Sequence, residues 1–506
     1  MPGLSMRRLL LSARQFCTRH PVAVGVTATF LLSLLLRVLY LLGAPDRSWP
    51  FSIFFYGDSR FFHTYALDWA RDRSPAQPTL PYHPPLFPAL LGWLYQLLGE
   101  PRGDAFPYKL SLAVLHSATV AFTWAWWRRV LGTAWSLLAA GLFSASFGWL
   151  VLSTTYSNEV LYALFLSATC ALVLQARSGL AWWAAVLLGA VMGLGSLTRA
   201  EHLYLWPFLL AFAAFARDRQ VPLKPQLVRW AVAMAVSLAV LAPWSVRNAR
   251  VIQELNAQAP GLEPLPELTL VTVYGPINFA MANNAQATGG FTPDLVNKLG
   301  ADGHLDAANP SQRHLLLHGY SEGLRWMAEN PGDATRLLLA KLDRWLEGLS
   351  LGLGVSNFPS GLRGARPPVD VFIPESHWLK WPLALLLLVG AGLSLRAPHR
   401  AFSLFTAVLL HRFLITLAFF GYARGMLALF PALLPLLLLP LQVLASRRPT
   451  LSARLPAMAS AALLLLWLEA GVRAMSEPRG FSASGTTERT GGKLIQDDWV
   501  QIWPKS

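Results

Sequence analysis

Asp58 lies in Phe55-Tyr56-Gly57-Asp58-Ser59-Arg60-Phe61-Phe62. A carboxylate among aromatic side chains is partly desolvated, and a carboxylate that reaches a hydroxyl can act as its general base. The same residue would equally serve as a helix cap facing water. Glu159, in Tyr156-Ser157-Asn158-Glu159, opens an apolar run. There the helix dipole favours a negative charge whether or not it does chemistry. Tyr82-His83-Pro84-Pro85-Leu86 sets a rigid turn, because paired prolines fix the entry angle of whatever follows. His83 offers a donor to a phosphate oxygen from that turn.

Three arginines complete the set. Arg199 sits in Thr198-Arg199-Ala200-Glu201, Arg247 and Asn248 follow Pro243-Trp244, and Arg424 lies in Gly421-Tyr422-Ala423-Arg424. A guanidinium matches two phosphate oxygens at once. A single Arg at the end of an apolar helix more often extends to headgroups, but three beside two carboxylates are harder to dismiss. His411 and Arg412 stand inside an apolar run, where ionisable groups either line a cavity or pair. His314, His318 and Glu322 share one helical face, a spacing that could offer metal ligands, but on an ordinary amphipathic helix a solvated face explains it. The chain carries no Gly-rich nucleotide loop, zincin motif or nucleophile elbow.

The elements that must position these groups follow from composition. Of 506 residues, 54% are hydrophobic and 14% charged, against about 25% charged in soluble domains. The net charge is +15, but the basic residues are spread over short loops between apolar runs, as in Arg128-Arg129, Arg396/Arg400 and Arg447-Arg448. That distribution reads as the positive side of a membrane protein rather than a nucleic-acid surface. The two cysteines, Cys17 and Cys170, imply neither a disulfide framework nor a Cys-based zinc site.

Eleven candidate spans are read: 22–43, 106–127, 134–152, 157–175, 180–197, 202–216, 230–243, 378–395, 402–420, 426–445 and 455–472. The first is too long for a cleaved signal and is expected to stay as a span. With the N-terminus inside, the basic loops gather on one side. Loop 44–105, Glu159, the Arg199 turn, segment 243–250, loop 251–377 and Arg424 gather on the other. The apolar segment 84–99, of about 15 residues, suits an interfacial helix rather than a span. The expected organisation is a membrane module over 1–250, an outer loop domain over 251–377, further spans over 378–472 and a short outer tail over 473–506. Within the loop domain, Leu268 to Tyr274 reads as a short β-like run. Two amphipathic helices are expected around 311–326 and 333–349, broken at Asn330-Pro331-Gly332.

Taken in order, these motifs resemble the GT-C class of membrane glycosyltransferases, family 39, which includes protein O-mannosyltransferases and the lipid A aminoarabinose transferase. The elements carrying the resemblance are Gly57-Asp58, the Tyr82-His83-Pro84-Pro85-Leu86 turn, Glu159, Leu197-Thr198-Arg199 and Pro243-Trp244-Ser245-Val246-Arg247-Asn248. Tyr274-Gly275-Pro276-Ile277-Asn278-Phe279, Asn283-Asn284, Trp326 to Pro331 and Tyr422-Ala423-Arg424 continue it. Two departures stand out: the mannosyltransferases carry Asp-Glu where Ser59 follows Asp58 here, and the lipid A enzyme has Lys where His83 stands.

The resemblance implies an all-α polytopic membrane fold of GT-C type with about eleven spans, outer-face interfacial helices and one large outer loop domain. It implies a polyprenyl-phosphate sugar donor, inverting transfer to a lipid, glycan or protein acceptor, and a bacterial inner membrane with the site facing the periplasm. Asp58 would be the base and Glu159 a second acid or the holder of a divalent cation. Arg247, Arg199, Arg424 and His83 would hold the donor phosphate. Tyr82, Asn248, Asn278 and Asn283 would contact substrate. No nucleotide site is required, because the lipid phosphate leaves. A polytopic transporter or a lipid-linked-sugar flippase is the rival; the absence of a half-to-half repeat speaks against the transporter.

Overall fold

The long apolar runs form helices, and every regular element among the described residues is helical. The computed structural model describes residues 19–43, 57–72, 80–101, 105–216, 218, 220–291, 306–353 and 380–447, with isolated positions from 454 to 461. The expected span at 455–472 and the tail beyond it lie essentially outside these.

Four helices are long and apolar enough to cross a membrane: Pro21–Leu42, Glu159–Ser178, Leu223–Gln258 and Ala397–Ala418. Six shorter apolar helices accompany them, so eleven full-length spans are not what the described residues display. The stretch 134–152 is broken at Ser146 into helices Thr133–Ala145 and Phe147–Leu152. The stretch 202–216 begins as a 3-10 turn, Ala200–Leu205, before helix Trp206–Ala216. The span expected to end at Pro243 does not end there as a helix. Helix Leu223–Gln258 runs straight through that proline, which costs the one backbone bond its missing N–H would have donated. Arg247 and Asn248 are therefore helical residues.

The β-like run is corrected too: 268–274 is not a strand. Its carbonyls are taken by side chains of the long helix instead. Trp244 Nε1 donates to Val271 O at 2.8 Å, Ser245 Oγ to Leu270 O at 2.9 Å, and Asn248 Nδ2 to Thr269 O at 3.2 Å. The two amphipathic helices appear as Pro310–Glu329 and Pro331–Leu353, parted at Asn330. Asn309 caps the first, accepting from the Ser311 and Gln312 amides.

The main core cluster runs from Trp124, Trp127 and Trp149 through Leu166 and Phe405 to Phe430 and Leu434, with smaller separate clusters such as the one around Phe62, Phe87, Leu91 and Tyr95. Helices Trp182–Thr198 and Leu223–Gln258 pack along each other. A Cβ on Gly189 would come 2.3 Å from Ala233 O, so glycine is what lets those backbones approach, as at small-residue contacts between membrane helices. Helix Leu86–Leu98, the segment expected to be interfacial, lies against helix Gly57–Asp72. Asp58 stands on the second of these helices, and Tyr82 and His83 in the turn that enters the first.

Candidate active site

Asp58 stands in the first turn of helix Gly57–Asp72. Its neighbour Ser59 is fully buried and donates to Tyr156 O at 2.9 Å. That bond ties the start of the helix to the turn leading into Glu159. His63 and Tyr95 reinforce the tie: His63 Nδ1 lies 2.8 Å from Tyr95 Oη, which donates to Tyr156 Oη at 3.0 Å.

A row of alternating charges then forms from four distant parts of the chain. Arg424 Nη2 lies 3.1 Å from Asp58 Oδ2, and Arg424 Nε lies 3.9 Å from Glu159 Oε1. Arg199 Nη1 lies 2.5 Å from Glu159 Oε1, and its Nε lies 2.8 Å from Glu201 Oε1. Glu201 also pairs with Arg412. Three carboxylates thus alternate with three guanidiniums. Asp58 is the most open of the six, at 35% exposure, and Glu159 the most enclosed, at 0%. Ser157 Oγ donates to Glu159, Arg199 stacks over Tyr162 and Arg424 over Tyr422. Buried charges demand this kind of pairing.

The motifs Thr198-Arg199-Ala200-Glu201 and His411-Arg412 therefore have a place. Glu201 links Arg199 to Arg412, and His411 Nε2 lies 3.1 Å from Glu201 O. The Glu201 contribution escaped the sequence reading. Its only signal was a carboxylate two residues from Arg199, together with an unexplained Arg412 inside an apolar run.

Arg247 is not in this row. It stacks over Trp244, with its guanidinium 4.8 Å from the ring centre. It lines a narrow cleft with Tyr65, Trp69, Tyr82, His83 and Trp244. His83 faces both arrangements: its ring packs against Phe61, Phe62 and Tyr274. Burial lowers its pKa; the nearby Asp58 opposes that shift and Arg424 adds to it. The Tyr82 hydroxyl is pushed up, first by burial and then by Tyr274.

The three asparagines differ. Asn248 is buried and bonds Thr269 O and Val271 O, each at 3.2 Å. Asn283 donates to Ala418 O at 2.9 Å and accepts from Lys341 Nζ at 2.7 Å. Both are engaged within the protein. Asn278, on helix Gly275–Ala282, keeps a buried Oδ1 without a hydrogen-bond partner.

A divalent cation does not fit this arrangement. The guanidinium of Arg424 lies between the Asp58 and Glu159 carboxylates and supplies the positive charge there. Among the described residues no group of three His, Cys, Asp or Glu is placed to hold a metal. His314 pairs with Glu322 at 3.7 Å and His318 with Glu263 at 2.9 Å.

Residues 82–246 match the family model described as dolichyl-phosphate-mannose-protein mannosyltransferase. The matched stretch contains Tyr82, His83, Glu159 and Arg199 and stops one residue before Arg247. The resemblance of the sequence to GT-C membrane glycosyltransferases is met over that stretch. No curated protein matches. Among solved structures, the chain is similar to the archaeal oligosaccharyltransferase AglB from Archaeoglobus fulgidus, in complex with an inhibitory peptide and a dolichol-phosphate. Identity is 15%, with 97% of this chain and 60% of that one covered and a TM-score of 0.49. It is also similar to ArnT from Cupriavidus metallidurans bound to undecaprenyl phosphate, at 15% identity, with 83% and 78% covered and a TM-score of 0.37. The chain spans about three fifths of the length of the archaeal enzyme.

Proposed function

We propose that this protein is an inverting membrane glycosyltransferase of GT-C type. It takes a sugar from a polyprenyl-phosphate donor and passes it to a hydroxyl on a lipid, glycan or protein. The reading places the site at the outer face of a bacterial inner membrane. The observation that carries the reading is the junction of Asp58, Arg424, Glu159 and Arg199, drawn from four separate parts of the chain.

In the proposed step Asp58, the most open acid of the row, takes the acceptor hydroxyl proton. The hydroxyl oxygen forms a bond to the anomeric carbon as the bond from that carbon to the phosphate oxygen breaks. The electron pair leaves with the lipid phosphate. Arg424, Arg247 and His83 are the donors suited to the charge that builds there, and preorganised donors of this kind contribute several kcal/mol to a transition state. Glu159 holds Arg199 and Arg424 in place. Tyr65, Tyr82 and Trp244 give the cleft aromatic walls for a sugar ring, and the cleft, about 30 Å³ here, has to open to admit one.

The test is sugar transfer by membranes containing wild type or Asp58→Asn, offered a panel of radiolabelled polyprenyl-phosphate sugars. Asn keeps the shape and removes the base. Transfer of one sugar by wild type, lost in the variant at equal protein level, is the expected result. Undiminished transfer by Asp58→Asn removes that residue from the mechanism.

A further inference from the structure

A second cavity lies away from the site above. It has a volume of about 530 Å³, within the roughly 300–1,000 Å³ usual for small-molecule sites. It lies at the opposite end of the same helices. Helix Glu159–Gln175 carries Glu159 at one end and reaches the cavity with Gln175 at the other. At about 1.5 Å per residue, the two ends are roughly 24 Å apart. Helix Phe430–Ser446 likewise meets the cavity at Ser446, its end remote from Arg424.

The lining has two chemistries. Arg129, Arg177 and His399 supply basic groups, and among the described lining residues there is no Asp or Glu. Asp218 donates its backbone N–H to Arg177 O at 3.1 Å, and its carboxylate accepts from the Gln220 amide at 3.1 Å. Arg177 Nε is buried without a hydrogen-bond partner, a state that costs free energy unless a ligand or water relieves it. The remaining wall is apolar, with Trp126, Leu174, Phe402 and Val443.

Trp126 and Arg129 reach the cavity from helix Phe106–Leu131, and Gln442, Val443 and Ser446 from helix Phe430–Ser446.

We propose that this cavity binds the phosphate headgroup of an anionic glycerophospholipid. Arg129 and Arg177 hold the phosphate oxygens, and Trp126 and Phe402 flank the first carbons of the acyl chains. A guanidinium pair suits phosphate geometrically, and a basic pocket between membrane helices is where an anionic headgroup is drawn. Free phosphate offers the same oxygens without the chains, so the two sources are separable. The site is independent of the transferase reading, since it shares no residue with it.

The test uses the full-length protein in neutral detergent, with short-chain phosphatidylglycerol, phosphatidylcholine of equal chain length and inorganic phosphate as probes, read by calorimetric titration. Wild type is expected to bind phosphatidylglycerol at least tenfold more tightly than phosphatidylcholine. Arg129→Gln/Arg177→Gln is expected to raise its Kd at least tenfold. Ser446→Trp, at the exposed rim, keeps every charge and fills the mouth, and is expected to weaken binding as well. Asp58→Asn is expected to leave binding unchanged. Binding of inorganic phosphate with the same arginine dependence, and none of the lipid, would support the phosphate site but assign it to free phosphate. Equal affinity in wild type and the double arginine variant overturns the proposal, as does loss of binding in Asp58→Asn.

Discussion

Glu159→Gln removes one charge from the middle of the row and keeps the side-chain shape. The carboxylate is fully buried and touches Arg199 at 2.5 Å and Arg424 at 3.9 Å. At an effective dielectric near 20, a pair of charges about 4 Å apart is worth about 4 kcal/mol. The desolvation that the carboxylate suffers, and the amide largely escapes, offsets part of this. Arg199 keeps Glu201 and Arg424 keeps Asp58, so neither guanidinium is stranded. The expected net loss is about 1–3 kcal/mol, below the roughly 3–5 kcal/mol for a buried charge left without a partner. Arg71→Gln is the control. Its two bonds to Glu100, at 2.9 and 3.0 Å, are well formed, but Arg71 is 59% exposed, so the expected loss is about 0–1 kcal/mol. Unfolding titrations in detergent at low and high salt measure both. The Arg71 effect should fade with salt and the Glu159 effect should persist. Equal losses, or a Glu159 effect that salt abolishes, refute the reasoning that burial sets the value.

Gly421→Ala should destabilise by about 1–3 kcal/mol through overpacking and reduce sugar transfer, because the new Cβ would lie 2.0 Å from Lys341 O, on the segment that leads into Arg424. Unfolding and transfer assays on the same preparation check both effects. Lys341, bonded to Asn283 and to Leu417 O, has its pKa lowered by burial to about 7. Between pH 7 and 10.5 the unfolded chain therefore holds a proton that the folded chain has released, so stability rises with pH across that window. Lys341→Met should flatten that rise in melting temperature, and an unchanged slope would contradict the assignment. Trp127 is fully buried and donates from Nε1 to Pro431 O at 2.9 Å. Trp127→Ala should cost about 3–5 kcal/mol and Trp127→Phe much less, nearer the roughly 1 kcal/mol of one hydrogen bond; denaturation midpoints separate the two.

The sequence by itself determined the helical class, because runs such as 22–43 and 402–420 are too long and too apolar for anything else, and a chain in lipid must bond its own backbone. It also singled out Asp58, Glu159, Arg199 and Arg424, since charges beside apolar runs are too costly to occur without partners. It could not say which charge meets which. Asp58 and Arg424 are 366 residues apart in the chain, and their contact depends on how Ser59, Tyr95 and Tyr156 anchor one helix against another. The same limit hid the role of Glu201, and it grouped Arg247 with the other arginines although its helix turns it into the aromatic cleft. The β-like pattern at 268–274 misled for a related reason. Alternation records that a segment has two faces, but a strand also needs a neighbouring edge, and here the carbonyls met the side chains of Trp244, Ser245 and Asn248 first. Local pattern fixes which elements form; pairing of distant groups is fixed only once those elements pack, because Coulomb energy and hydrogen bonding act across space and not along the chain.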